Sequence, residues 1–134
     1  MAQEPNAHAG AKILVCEDDP DLAQLVGLFL EKNGFHFDTA NSAEDAKALL
    51  AKNNYDAITV DISLPGQDGV SLIQDLHDDQ QTMDLPVVVV SMSDRSEHYR
   101  KLSSRGIETR GWVTKPINEA NLISAITRAL RSSS

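Results

Sequence analysis

Short apolar runs alternate with amphipathic helix patterns along most of this 134-residue chain. Many residues in these runs are β-branched, as expected of strands that are buried on both faces of a sheet. Five strands are predicted, at residues 13–16, 35–40, 57–60, 87–90 and 111–114. Because short connections between strands and helices force parallel strands with right-handed crossovers, the pattern predicts a doubly wound α/β domain with five helices.

The helices are recognised by their apolar spacing and their N-caps. The first helix has an apolar stripe with i, i+3, i+4, i+7 and i+8 spacing, formed by Leu22, Leu25, Val26, Phe29 and Leu30. Ser42, Asp94 and Asn118 are the predicted N-caps of the second, fourth and fifth helices. The fourth helix is mostly polar, and its predicted core contacts are Tyr99 and Leu102.

The two ends of the chain lack this periodicity. Residues 1–11 form a predicted flexible tail or linker, residues 12–131 form the folded domain, and residues 132–134 form a frayed C-terminus. Apolar residues make up 41% of the chain and charged residues 24%. These proportions are typical of a globular domain and argue against disorder.

The charge balance and the apolar runs restrict the possible partners. Twelve Lys and Arg against twenty Asp and Glu give a net charge of −8, so we expect no direct nucleic-acid binding by this chain. The longest apolar run, residues 87–90, is far too short for a membrane span, and we expect no membrane insertion. The lone Cys16 fits a reducing, cytoplasmic compartment. A cytoplasmic domain of this kind is compatible with a membrane-attached parent protein.

Polar side chains follow four of the five predicted strands. They are Glu17 and Asp18 after the first, Asp61 after the third, Ser91 after the fourth and Lys115 after the fifth. In open parallel sheets, ligands bind at the carboxyl ends of the strands. The sequence therefore predicts one site that combines carboxylates, a hydroxyl group and an ammonium group.

This combination of groups favours magnesium-dependent phosphoryl chemistry. Clustered carboxylates repel one another, and a divalent cation keeps them ionised. Oxygen-only ligands favour Mg²⁺, which retains places for water and phosphate oxygens. An aspartate beside Mg²⁺ and a lysine can attack a phosphoryl group and form an acyl phosphate, while the metal and the lysine neutralise charge on the transferring group.

Four segments resemble the receiver domain of bacterial two-component signalling, the response-regulator family. They are ILVCEDD at 13–19, YDAITVDISLPGQDG at 55–69, PVVVVS at 86–91 and KP at 115–116. They occur in the family's order, and the resemblance covers residues 12–130, which is nearly the whole chain. It implies a flavodoxin-like sheet with the strand order 2-1-3-4-5.

The resemblance also implies the residues that bind the metal ion. Asp61 corresponds to the phosphate acceptor and is itself a Mg²⁺ ligand. Glu17 and Asp18 correspond to the acidic pair, with Asp18 as a direct ligand, and Ser63 would contribute its backbone carbonyl. Asp19 falls one place beyond the pair, and we expect it to lie outside the metal's ligands.

The remaining residues implied by the resemblance contact or sense the phosphoryl group. Lys115 would pair with it, Ser91 is the switch hydroxyl, and Trp112 occupies the aromatic switch position. The phosphate donor is a phosphohistidine of a histidine kinase or of a histidine phosphotransfer domain. In the family, movement of the switch residues changes the surface formed by the fourth helix, the fifth strand and the last helix.

Two residues depart from the family's common pattern. Trp112 stands where Tyr or Phe is usual, and its indole N–H needs a partner when it is buried. Met92 follows the switch hydroxyl, where a small residue is usual, so its bulk narrows access to the phosphoryl group. These departures keep open a static Trp112 and a pseudo-receiver, which is an interaction module without phosphorylation.

The resemblance leaves the parent protein open. The linker-like start and the lack of a predicted output region after the last helix favour a fragment from the C-terminal end of a hybrid sensor histidine kinase. A stand-alone single-domain response regulator is the alternative. On either interpretation this chain is a phosphoacceptor with slow self-hydrolysis, while kinase activity would belong to a longer parent. A magnesium-dependent phosphatase is disfavoured, because Ser63 occupies the place of its second catalytic acid.

Overall fold

The fold is described from a computed structural model, which covers residues 10–62, 69–92, 100, 102–104 and 106–132. Five strands and four helices occur in this part of the chain. In order, they are β1 (Lys12–Cys16), α1 (Pro20–Lys32), β2 (His36–Ala40), α2 (Ala43–Lys52), β3 (Ala57–Asp61), α3 (Gly69–Asp78), β4 (Val87–Ser91), β5 (Gly111–Thr114) and α4 (Glu119–Ser132).

The five strands form one parallel sheet in the order β2-β1-β3-β4-β5. This confirms the predicted fold class and strand order. In the register, Cys16 lies opposite Val60, Asp61 lies opposite Val90, and Ser91 lies opposite Thr114. The carboxyl ends of β1, β3, β4 and β5 therefore meet at one edge of the sheet.

Two apolar clusters cover the two faces of the sheet. Along each central strand, alternate residues point to opposite faces, so Leu14 packs towards α2 and α3 while Ile13 packs towards α1 and α4. Val88 and Val89 of β4 divide in the same way. The central strands are covered on both faces, which explains why their apolar runs are continuous and do not alternate with polar residues.

Five helices are predicted, whereas the described residues contain four. The missing one is the predicted fourth helix, which begins at Asp94, and residues 93–99, 101 and 105 lie outside the described part. Arg100, Leu102 and Ser103 have helical backbone. Leu102 is buried in the core on the α2 and α3 face, which confirms one of the two core contacts predicted for this segment.

Side-chain caps fix the starts of three helices. The Ser42 hydroxyl accepts a hydrogen bond from the Asp45 amide at 3.1 Å, and the Asn118 side chain accepts one from the Asn121 amide at 3.1 Å. These two of the three predicted caps are confirmed, and the third, Asp94, lies outside the described residues. The first helix is capped by Asp19, whose carboxylate accepts from the amide of the second helical residue at 3.0 Å.

The inward face of α1 differs from the predicted stripe. The spacing predicts that Leu25 lies on the buried face, but this residue is 40% exposed. The buried residues of α1 are Ala23, Val26, Gly27 and Leu30. Gly27 lies against the ring of Phe37 in β2, so the helix approaches the sheet along its smallest side chain. This close approach rotates Leu25 away from the core.

None of the helices in the described part is both long enough and apolar enough to cross a membrane.

We expect Gly27→Ala to lower the free energy of unfolding by about 1–3 kcal/mol, as overpacking in a core typically does. A Cβ at this position would overlap three ring atoms of Phe37, the farthest 2.9 Å away. Urea unfolding of the variant and of Leu28→Ala, a change at an exposed position of the same helix, measures the effect. An increase in stability, as at an exposed helical glycine, would contradict the packing described here.

Candidate functional site

Three carboxylates meet at the carboxyl edge of the sheet. Glu17 follows β1, and its amide donates a hydrogen bond to the Ala40 carbonyl at 2.9 Å. Asp61 is the last residue of β3, and both its side chain and that of Glu17 are buried. Asp18 is exposed beside them. One carboxylate oxygen from each of these three side chains lies within 4.8 Å of the others.

Lys115 supplies the positive charge of the site. Its Nζ lies 2.9 Å from Oδ2 of Asp61 and 3.2 Å from Oε1 of Glu17. Lys115 directly follows β5, and its amide donates to the Ser91 carbonyl at 2.8 Å. That bond extends the pairing of β4 and β5 by one residue and anchors the lysine backbone. The side chain then reaches past β4 to the end of β3.

Burial and neighbouring charges shift the proton affinities in this site. Burial, followed by a hydrogen bond with Asp61, raises the pKa of Glu17 to about 7, although the Asp19 amide and the Lys115 ammonium oppose the shift. For Lys115, burial alone would lower the pKa, but the hydrogen bond and charge of Asp61, together with Glu17, raise it overall. The lysine is therefore charged at neutral pH, while Glu17 exchanges its proton near neutrality.

Comparison with known proteins identifies the family. Residues 13–127 match the family described as the response regulator receiver domain. The chain belongs to the response-regulator receiver family. It is 32% identical to the phosphate regulon regulatory protein PhoB of Escherichia coli and 29% identical to the protein PilH of Pseudomonas aeruginosa. Each match covers 90% of this chain, but it spans about half of PhoB (52%) and nearly all of PilH (98%).

Comparison with solved structures shows the same fold in proteins of known structure. A sensor protein from Polaromonas sp. JS666 is 44% identical with a TM-score of 0.86, and the match covers 92% of this chain and 98% of that one. A putative response regulator from Chloroflexus aurantiacus is 26% identical with a TM-score of 0.81, and the match covers 91% and 98%.

The two predicted switch residues, Ser91 and Trp112, lie on β4 and β5. Ser91 is buried at the end of β4, one residue beyond the position opposite Asp61. Met92, the next residue, is 79% exposed. Trp112 is partly buried against the cluster on the α2 and α3 face, and its Nε1 is buried without a hydrogen-bond partner among the described residues.

Three of the four predicted metal ligands belong to the described part of the chain, and the fold brings these three together. Glu17, Asp18 and Asp61 converge, whereas Ser63 lies outside the described residues. Asp19 has a role that the motif does not specify. Besides capping α1, its amide donates to Oε2 of Glu17 at 3.2 Å, so it orients a member of the cluster. Its place directly before Pro20 is the sequence signal for that cap.

The composition of the cluster fits a hard divalent cation. All donors among Glu17, Asp18 and Asp61 are carboxylate oxygens, which Mg²⁺ prefers. The side chains of Glu17 and Asp61 are buried, and three carboxylates face one lysine, so the cluster leaves negative charge for a cation to balance. Receiver domains generally bind Mg²⁺ at such an acidic pocket.

In metal-free protein, we expect Glu17→Gln to increase stability at pH 8 and to change it little at pH 5. The folded-state pKa of Glu17 is raised, so its contribution favours folding at low pH and is lost as pH rises from about 4.5 to about 7. We expect a gain of about 1–2 kcal/mol, since one pKa unit equals about 1.4 kcal/mol and solvent screens part of it.

Urea unfolding in EDTA at the two pH values measures this difference. Glu31→Gln, on the exposed side of α1, removes the same charge away from the cluster and controls for the domain's overall negative charge. An equal effect of Glu17→Gln at both pH values would show that the buried carboxyl does not titrate between them.

Proposed function

We propose that this receiver domain accepts a phosphoryl group on Asp61 from a phosphohistidine, with Mg²⁺ as the cofactor. The observation that carries the proposal is the environment of Asp61. Its carboxylate is buried, its Oδ2 lies 2.9 Å from the Lys115 ammonium, and two further carboxylates lie within 4.8 Å. A structural ion pair needs only one acid and one base, so the additional acids favour a metal-dependent site.

In the proposed reaction, a carboxylate oxygen of Asp61 forms a bond to phosphorus while the P–N bond of the phosphohistidine breaks. The imidazole leaves with the electron pair of that bond and takes up a proton. Lys115 is placed to neutralise charge on the transferred group. Glu17, Asp18, Asp61 and the backbone carbonyl of Ser63 would hold Mg²⁺, which supplies further charge neutralisation for the phosphoryl oxygens.

The proposed partner is a histidine kinase or a histidine phosphotransfer protein, with which receiver domains of response regulators interact. After transfer, Ser91 and Trp112 are the proposed switch residues. The Nε1 of Trp112 is buried without a hydrogen-bond partner among the described residues, which supports this role because an unpaired buried donor costs free energy. A new acceptor near the ring would therefore shift its position.

The proposed parent protein is a hybrid sensor histidine kinase, of which this chain would be the C-terminal receiver. The 44% identity to a sensor protein, over nearly the full length of that chain, supports this origin. The similarity to PilH over 98% of its length supports the second candidate, a stand-alone single-domain regulator. DNA sequence around the coding region decides between them, since we expect an open reading frame that continues upstream into a kinase. A gene that encodes these residues alone would exclude the hybrid origin.

We expect Asp61→Asn to abolish labelling by a small phosphodonor such as acetyl phosphate in the presence of Mg²⁺. The amide cannot form the acyl phosphate, so the mass of the intact protein should not increase by one phosphoryl group. Asp56→Asn is the matched control, because Asp56 lies just before the same strand and binds the Lys12 amide at 2.8 Å. Undiminished labelling of Asp61→Asn would exclude Asp61 as the acceptor.

A further inference from the structure

Gly69 lies against the backbone of the proposed acceptor. It is the first residue of α3 and is buried. Its amide donates a hydrogen bond to the Ile62 carbonyl at 2.8 Å. The start of α3 is therefore tied to the residue that directly follows Asp61.

The space at Gly69 has no room for a side chain. A Cβ built on its backbone would lie 2.9 Å from the carbonyl carbon of Asp61, 2.6 Å from Cα of Ile62 and closer still to the Asp61 carbonyl oxygen. Real Cβ atoms essentially never approach other atoms within 3.0 Å. All three neighbours are backbone atoms, so no side-chain rotation relieves the overlap. Either α3 or the end of β3 would have to move.

Both elements are held in place by other contacts. On one side, α3 is anchored in the core by Val70, Leu72, Ile73 and Leu76. On the other side, β3 lies between β1 and β4, and the Ile62 amide continues the pairing by donating to the Val90 carbonyl at 3.1 Å. A methyl group at residue 69 would therefore push directly on the end of β3, which is the position of Asp61, whose side chain contacts Lys115.

We propose that Gly69 is a positioning residue for Asp61. Because Gly69 has no side chain, α3 can pack directly against the Asp61 carbonyl. This packing sets the distance from the Asp61 carboxylate to Lys115 and to the acidic pair. The inference rests on the proposed function of Asp61 as phosphoacceptor. The proposed role depends on the lack of space for a Cβ at residue 69 and not on the backbone dihedral angles of this glycine.

Gly27 provides a matched control within the same chain. It is also a buried helical glycine with no room for a Cβ, but the atoms it would meet belong to the ring of Phe37. Gly27→Ala therefore introduces the same methyl group against a side-chain ring, which can shift, and does not press on the backbone of Asp61. A difference between the two variants isolates the effect on the acceptor from the effect on packing.

The test compares Gly69→Ala, Gly27→Ala and the unchanged chain. The first measurement is the rate of labelling by acetyl phosphate with Mg²⁺, expressed per folded molecule. The second is Mg²⁺ affinity by isothermal titration calorimetry. The third is the ¹³C chemical shift of the Asp61 carboxyl carbon in metal-free protein. Trimethylamine N-oxide, which favours compact states, is present throughout to keep the variants folded.

We expect Gly69→Ala to label at least tenfold more slowly, since small misplacements of reacting groups are costly, to bind Mg²⁺ more weakly and to shift the Asp61 resonance. Gly27→Ala should stay within twofold of the unchanged chain. Equal labelling of all three proteins would overturn the inference, and so would equal losses in both variants.

Two further outcomes are also decisive. A Gly69→Ala chain that stays unfolded when Gly27→Ala folds would show that Gly69 serves the whole fold, which overturns a specific positioning role. If the unchanged chain does not label, the proposed function fails. In that case a shift of the Asp61 resonance in Gly69→Ala alone still supports the positioning role, and an unchanged resonance overturns it.

Discussion

Burial of the Asp61 carboxylate beside that of Glu17 is the constraint on which the rest of the site depends. Two buried acids at the end of neighbouring strands cannot both remain ionised unless positive charge is close. Lys115 meets part of that need, with its ammonium within 3.2 Å of both carboxylates, although the pKa of Glu17 is still raised to about 7. The lysine can do so because the β4–β5 pairing continues to its amide, which binds the Ser91 carbonyl. The sheet thus positions the Lys115 ammonium as well as the two carboxylates.

Much of this arrangement could be predicted from the sequence, because it follows from strand ends. The runs before Glu17, Asp61 and Ser91 are β-branched and continuous, so their identity as central parallel strands and the side of the sheet to which they lead are both determined locally. N-caps such as Ser42 are equally local, since the residue that accepts the bond lies three positions from the donor.

Features that depend on the close approach of distant segments could not be predicted in this way. The spacing of α1 placed Leu25 inward, but contact between Gly27 and Phe37 of β2 rotates that face of the helix. The contact of Gly69 with the Asp61 backbone likewise depends on how a helix start packs on the sheet edge. The bond from the Asp19 amide to Glu17 is local, but it depends on the conformation of the turn after β1. A motif shows that these residue types are present, but not which atoms they contact.

The charge of the site connects its rigid backbone to its chemistry. With Glu17, Asp18 and Asp61 all ionised, one ammonium leaves two excess negative charges, which is the charge that a divalent cation supplies. Burial, followed by the hydrogen bond with Asp61, raises the pKa of Glu17 to about 7, so a proton held at Glu17 reduces that excess when no metal ion is bound. Binding of a cation by these oxygens would therefore be coupled to release of that proton. Such coupling requires that the oxygens stay close when the charge changes, and the central position of β3, with α3 seated against its end, resists their separation.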